Sequence, residues 1–153
     1  MAFNFVAIDN IKNGVPKSEQ SIVDIGLVDF NAEPRSFIEQ AKSIAEIPRR
    51  HEAVVSYFRT HSATNPEIWA SKLDTIDNEL YPAAVGGVIG NWIETDSEAA
   101  SEWVQKLPKG TRRDVAIGEF ATRMKRVDKR AALEAVSWID NAELKEKLSR
   151  SMR

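Results

Sequence analysis

The stretch Trp92-Ile-Glu-Thr-Asp96-Ser-Glu-Ala-Ala100-Ser-Glu-Trp103-Val-Gln-Lys-Leu107-Pro-Lys-Gly110-Thr-Arg-Arg-Asp114-Val-Ala116 contains a helix start, a helix stop and a second helix start. Asp96 stands where an N-cap is wanted, because an aspartate oxygen accepts the orphan N–H groups of a first helical turn. Ala100, Trp103 and Leu107 then recur at the spacing of one helical stripe. Pro108 disfavours helical geometry at the residue before it, and Gly110 tolerates the left-handed conformation of a turn. Thr111 reads as the cap of the next helix, with Asp114 at the acidic third position of a capping-box variant. That helix carries Ala116, Ile117, Phe120 and Met124 on one stripe.

Working outward, a shift of 32 residues lays the chain on itself. Ala84 falls on Ala116 and Leu148, Val85 on Ile117, Gly86 on Gly118, and Val88 on Phe120 and Met152. Trp92 falls on Met124, Asp96 on Asp128, Ala99-Ala100 on Ala131-Ala132, Trp103 on Ala135, and Leu107 on Ile139. A weaker upstream copy puts Val54, Val55, Ser56 and Phe58 at 30 residues before Ala84, Val85, Gly86 and Val88, with Trp69 and Leu73 spaced as Trp103 and Leu107 are. Such a period is the signature of stacked units that cannot bury their apolar stripes alone. The pattern predicts helices over 19–30, 34–46, 50–61, 66–74, 79–93, 97–106, 112–126, 129–138 and 141–151. The expected fold class is all-α, a short α-solenoid of stacked antiparallel helical hairpins in one domain spanning 1–153. Within it, 1–17 is a poorly defined N-terminal extension, 34–83 holds divergent units, 84–120 is the best repeat, and 121–153 is a degenerate or capping unit.

The quoted stretch resembles the repeat of bacterial α-helical repeat proteins of uncharacterised role. In that pattern a tryptophan or a substitute precedes an aspartate, paired alanines, a tryptophan, Leu-Pro-x-Gly and Arg-Asp. The likeness is close over 84–120, degenerate over 121–152 and faint over 34–83, and it departs where Met124 and Ala135 replace tryptophans and Ile139-Asp140 replaces Leu-Pro. The resemblance implies an all-helical fold and brings no catalytic residues and no ligand.

Composition bounds the function. The 153 residues are 42% hydrophobic and 29% charged, within one domain's range. The absence of cysteine excludes disulfide scaffolds, Cys-ligated metals and thiol catalysis. The chain has no run of 18 apolar residues, so no membrane-spanning helix is expected, and its start, Met1-Ala-Phe-Asn-Phe-Val-Ala-Ile-Asp9, does not read as a signal peptide. A cytoplasmic location is the expectation. The net charge of -2 divides unevenly: residues 1–105 hold 8 basic against 16 acidic residues, and 106–153 hold 13 against 7. This division suggests an interaction surface, and it predicts end-to-end self-association of oppositely charged ends.

Candidate chemistry is sparse. His51-Glu52 and His61 are the only grouping that suggests a metal, but ten residues of helix leave the histidines about 80° and about 15 Å apart, so no metal is expected. Gly86-Gly87-Val-Ile-Gly90 lacks the spacing of a phosphate loop, and its recurrence at Gly118 reads as close helix packing. Trp69, Trp92, Trp103 and Trp138 read as core. Glu98 and Glu102 read as a solvated first turn rather than an acid–base pair, and nothing supports a Ser-His-Asp arrangement. No catalytic residue and no cofactor is assigned. The candidate site is a basic patch of Lys109, Arg112, Arg113, Arg123, Lys125, Arg126, Lys129 and Arg130, continued by Lys145, Lys147, Arg150 and Arg153. The expected function is a non-catalytic protein–protein interaction module working through a groove or charged face. The alternative is nucleic-acid binding, as an accessory or inhibitor protein, through phosphate contacts of a basic C-terminal stripe.

Overall fold

The structure, a computed structural model, describes residues 28–153. Among the described residues it is all-helical: α1 (Pro34–Ala41), α2 (Ile47–Ser62), α3 (Pro66–Ser71), a 3-10 turn (Leu73–Thr75), α4 (Tyr81–Lys106), α5 (Thr111–Met124), α6 (Lys129–Ser137) and α7 (Ala142–Ser151). The expected 1–17 extension and most of the 19–30 helix lie outside the described residues. Of that helix only 28–30 are described, and they are not helical, with a turn beginning at Phe30.

Local chemistry accounts for the ends. Proline occupies the first turn of α1, α2, α3 and α4, where its missing N–H breaks no bond. This carries α2 back to Ile47, ahead of the expected start at 50. The helix expected over 34–46 stops early at Ala41, and the chain closes in tight turns with Ser43 N–H on Gln40 O and Ile44 N–H on Ala41 O, both 3.0 Å. The helices expected at 79–93 and 97–106 run together without a loop, separated only by the non-helical backbone of Asp96 (φ -160°, ψ 83°). Asp96 Oδ1 accepts the Ala99 N–H at 3.0 Å, and Asp128 Oδ1 accepts the Ala131 N–H at 3.1 Å, so both aspartates cap as the sequence predicts. Thr111 does not cap α5. Gly110 takes that position, at φ 149°, a backbone conformation that L side chains rarely adopt.

Helix α4 lies between α2 and α5; α3 packs on α2 and α4, α5 on α6, and α7 on α5 and α6. Adjacent glycines serve the two sides of α4: a Cβ on Gly87 would lie 2.6 Å from Val55 O on α2, and one on Gly86 would lie 2.6 Å from Arg123 Nη2 on α5. The core is rich in aromatic rings around α2. Phe37 stacks on Tyr57 at 3.9 Å, and Trp69 meets Phe58 edge-on at 5.9 Å. Of the four tryptophans Trp92 is buried at 5% exposure, while Trp69, Trp103 and Trp138 are half-buried against the core. Burial pushes the Tyr81 hydroxyl from 10.0 up to about 12, against the opposing pull of Arg112, and burial raises Tyr57 too.

Two predictions follow from this packing. In thermal unfolding, Gly87→Ala is expected to cost about 2 kcal/mol through backbone crowding, and Gly110→Ala a similar amount through strain alone. Gly90→Ala, whose Cβ meets nothing closer than 3.6 Å, is expected to gain about 0.5–1 kcal/mol of helix propensity. Opposite signs in the melting shifts are the expected result; a uniform sign would contradict the packing assigned to Gly87. For pH, a folded pKa above the unfolded one means that the buried tyrosines contribute fully below about pH 10, and that this contribution is lost as pH rises through the folded value. The urea midpoint should therefore hold up to about pH 10 and fall toward 12, with a shallower fall in Tyr81→Phe.

Candidate partner-binding surface

Residues 112–114 open α5, and the fold takes up all three. Arg112 reaches back, donating from Nη1 to Leu73 O at 3.2 Å, from Nε to Asn78 Oδ1 at 3.1 Å, and from Nη2 to Ile76 O. Its guanidinium lies 4.4 Å over the Tyr81 ring. Arg113 reaches forward, donating to Trp138 O at 3.1 Å with Asp140 Oδ2 at 3.8 Å, and its side chain is only 13% exposed. Asp114, buried, accepts the Asp140 and Asn141 N–H groups at 3.0 Å each. Its carboxylate thus holds the turn before α7 instead of closing a capping box on its own helix. These three side chains clasp α5 to the segments packed on either side. Asp114→Ala leaves two part-buried N–H groups without their anionic acceptor, and a loss of about 2–3 kcal/mol in chemical denaturation is expected. Lys109→Ala, on an exposed loop, should stay within about 0.5 kcal/mol.

Five of the other patch residues gather at the corner between α5 and α6. Arg123 is half-buried, paired with Glu119 and laid along the Gly86 and Gly90 side of α4. Lys125 donates to Ser151 O at 2.6 Å, tying the end of α7 to the end of α5. Arg126, Lys129 and Arg130 are exposed, and so are two apolar neighbours, Val127 at 64% and Leu133 at 44%. Lys129 and Arg130 open α6, where the helix dipole disfavours positive charge, so local stability does not account for them. Of the eight predicted patch residues, Arg123, Lys125, Arg126, Lys129 and Arg130 share this corner, Lys109 stands on the loop before α5, and Arg112 and Arg113 are turned inward.

Beside the corner runs a cleft of about 480 Å³ across α2, α4 and α5. Arg59 lines it from α2; Gly86, Gly90 and Asn91 from α4; Arg123 from α5 and Arg126 from the turn after it. Sequence reasoning missed Arg59, which lies 64 positions before Arg123 and shares no motif with it. The usable signal was the close-packing reading of Gly86-Gly87, since that contact is what brings α2 and α5 to the two sides of α4. Asn91 Nδ2 donates to Arg59 O and approaches Ser62 Oγ at 3.4 Å, fixing the α2 wall. A smaller cavity of about 270 Å³ lies between α5 and α7, lined by residues including Val115, Leu144 and Lys147.

His61 Nε2 lies 2.6 Å from Phe30 O with its ring stacked on Trp69, and His51 Nε2 is buried with no hydrogen-bond partner among the described residues. Both histidines stand on α2. Among the described residues no three His, Asp or Glu side chains gather as a metal set, and no helix is long and apolar enough to cross a membrane. Comparison with protein-family models, with curated proteins and with solved structures finds no match.

Proposed function

We propose that the chain is a short stack of helical hairpins with a repeat of about 32 residues, and that it is a non-catalytic, cytoplasmic module binding a protein partner. Equivalent positions do equivalent work, which supports the repeat. Asp96 and Asp128 each cap a second helix, and Gly86 and Gly118 each face a side chain of the next first helix, Arg123 and Leu148 respectively. In this reading α7 is a capping half-unit with a polar outer face of Glu143, Glu146, Lys147 and Arg150. The resemblance to bacterial repeat proteins fits the same architecture, and neither a cofactor nor a reaction is part of the proposal.

The observation that carries the function is the α5–α6 corner, where exposed Val127 and Leu133 stand among Arg126, Lys129 and Arg130. Exposed apolar groups beside arginine are what protein interfaces use as anchors. The nucleic-acid alternative rests on the exposed cations Lys109, Arg126, Lys129 and Arg130, and it is weakened by the inward course of Arg112 and Arg113. Pull-down from a native lysate with wild type and with a Val127→Ser/Leu133→Ser/Arg130→Glu variant tests the first reading: partners retained equally by both would overturn it. A shift assay across salt tests the second. Phosphate binding predicts affinity falling steeply with salt and lost in Lys129→Glu/Arg130→Glu, and no shift at low salt would exclude it. The uneven charge division further predicts concentration-dependent end-to-end association at low salt, and a single monomer mass under those conditions would exclude that contact.

A further inference from the structure

We infer that the partner of the α5–α6 corner is a second copy of the chain, and that the two copies meet face to face about a two-fold axis. This rests on the protein-binding reading and names its partner. Two capping aspartates with nearly the same backbone organise the face: Asp96 (φ -160°, ψ 83°) within α4 and Asp128 (φ -151°, ψ 99°) ahead of α6. Two residues before and two after Asp96 stand Glu94 and Glu98; at the same offsets from Asp128 stand Arg126 and Arg130. Neighbouring units therefore carry opposite charge at equivalent positions, and Lys129 adds to the basic row. All five residues are exposed, and none of them forms an ion pair among the described residues.

The packing of α4 on α5 sets the two rows side by side, since Glu94 and Arg126 line the same cleft. A row of carboxylates beside a row of cations is complementary to itself. Half a turn about a line running between the rows lays each row on the opposite row of a second copy, so every contact is made twice. Val127 lines the cleft between the rows and so meets the second copy near that axis, and Leu133 adds a second exposed apolar group along α6. Apolar contact within a charged rim is the usual anatomy of a protein interface. A phosphate chain or a peptide of one charge sign fits less well, because one of the two rows repels it. Asp96 and Asp128 are committed to backbone N–H groups. Glu102 and Glu134 also occupy equivalent positions, so the same rotation brings these like charges together, with Lys106 beside Glu102 at 3.7 Å. The contact is small, which makes the dimer weak and sensitive to salt.

Sedimentation equilibrium at protein concentrations up to about 1 mM tests the pairing. At low salt the mass is expected to rise with concentration and level at twice the monomer, and to return to the monomer at about 0.5 M salt. Reversing one row, in Arg126→Glu/Arg130→Glu or in Glu94→Arg/Glu98→Arg, should weaken the dimer about tenfold or more, because each reversed contact counts twice. The variant with all four reversals, whose rows have only traded places, should dimerise again. Glu134→Lys should tighten the dimer, with circular dichroism confirming that each variant is folded. A monomer mass at every concentration and low salt overturns the pairing. If a lysate partner is then held by wild type and lost by the Val127→Ser/Leu133→Ser/Arg130→Glu variant, the corner binds a different protein and the protein-binding reading stands. Dimers indifferent to both row reversals, or not restored by the fourfold variant, also overturn it. So does a mass that grows past two copies without levelling, which is the behaviour of an end-to-end contact.

Discussion

The Cβ that Gly87 lacks would lie 2.6 Å from the Val55 carbonyl and 2.9 Å from the Arg59 amide nitrogen, so α4 and α2 meet backbone to backbone. No side chain fits between them, and rearranging a helix backbone moves everything packed on it. On the opposite flank Gly86 meets the ends of the flexible Arg123 and Glu119 side chains, which can shift where a backbone cannot. The central helix is therefore fixed rigidly against α2 and more adaptably against α5. This asymmetry places the cleft on the adaptable side, with its far wall anchored by the rigid contact.

The clasp at 112–114 extends the same order toward the C-terminal end. Arg112 binds carbonyls of the turn before α4, while Arg113 and Asp114 bind the segment before α7. Each satisfies backbone groups that a tight inter-helix turn leaves without partners. Charge thus serves two purposes within 20 residues: inward at 112–114, where it closes turns, and outward at 126–130, where it meets solvent. A count of basic residues does not separate the two, because the distinction depends on which backbone carbonyls lie within reach.

Much of the architecture is legible in the sequence. The periodic stripes at Ala116, Ile117, Phe120 and Met124 are buried, and the capping aspartates 96 and 128 act as read. Legibility failed where competing local partners decide the outcome. Thr111 and Asp114 fit a capping box in sequence, but a neighbouring turn offers Asp114 two N–H groups and Gly110 takes the cap position. The cleft was half legible: its floor glycines and two of its arginines were singled out, whereas Arg59 was not, because its place there follows from a helix contact.

By itself the sequence determined the all-helical class, the placement of most helix ends and the stripes that form the core, because capping, proline geometry and a 3.6-residue period act over a few neighbouring positions. The tertiary structure alone decided which charges are spent on the fold and which remain at the surface. It also decided that Arg59 shares a cleft with Arg123 and Arg126. These outcomes depend on distances between residues far apart in the chain, and those distances are set by how closely α2, α4 and α5 pack.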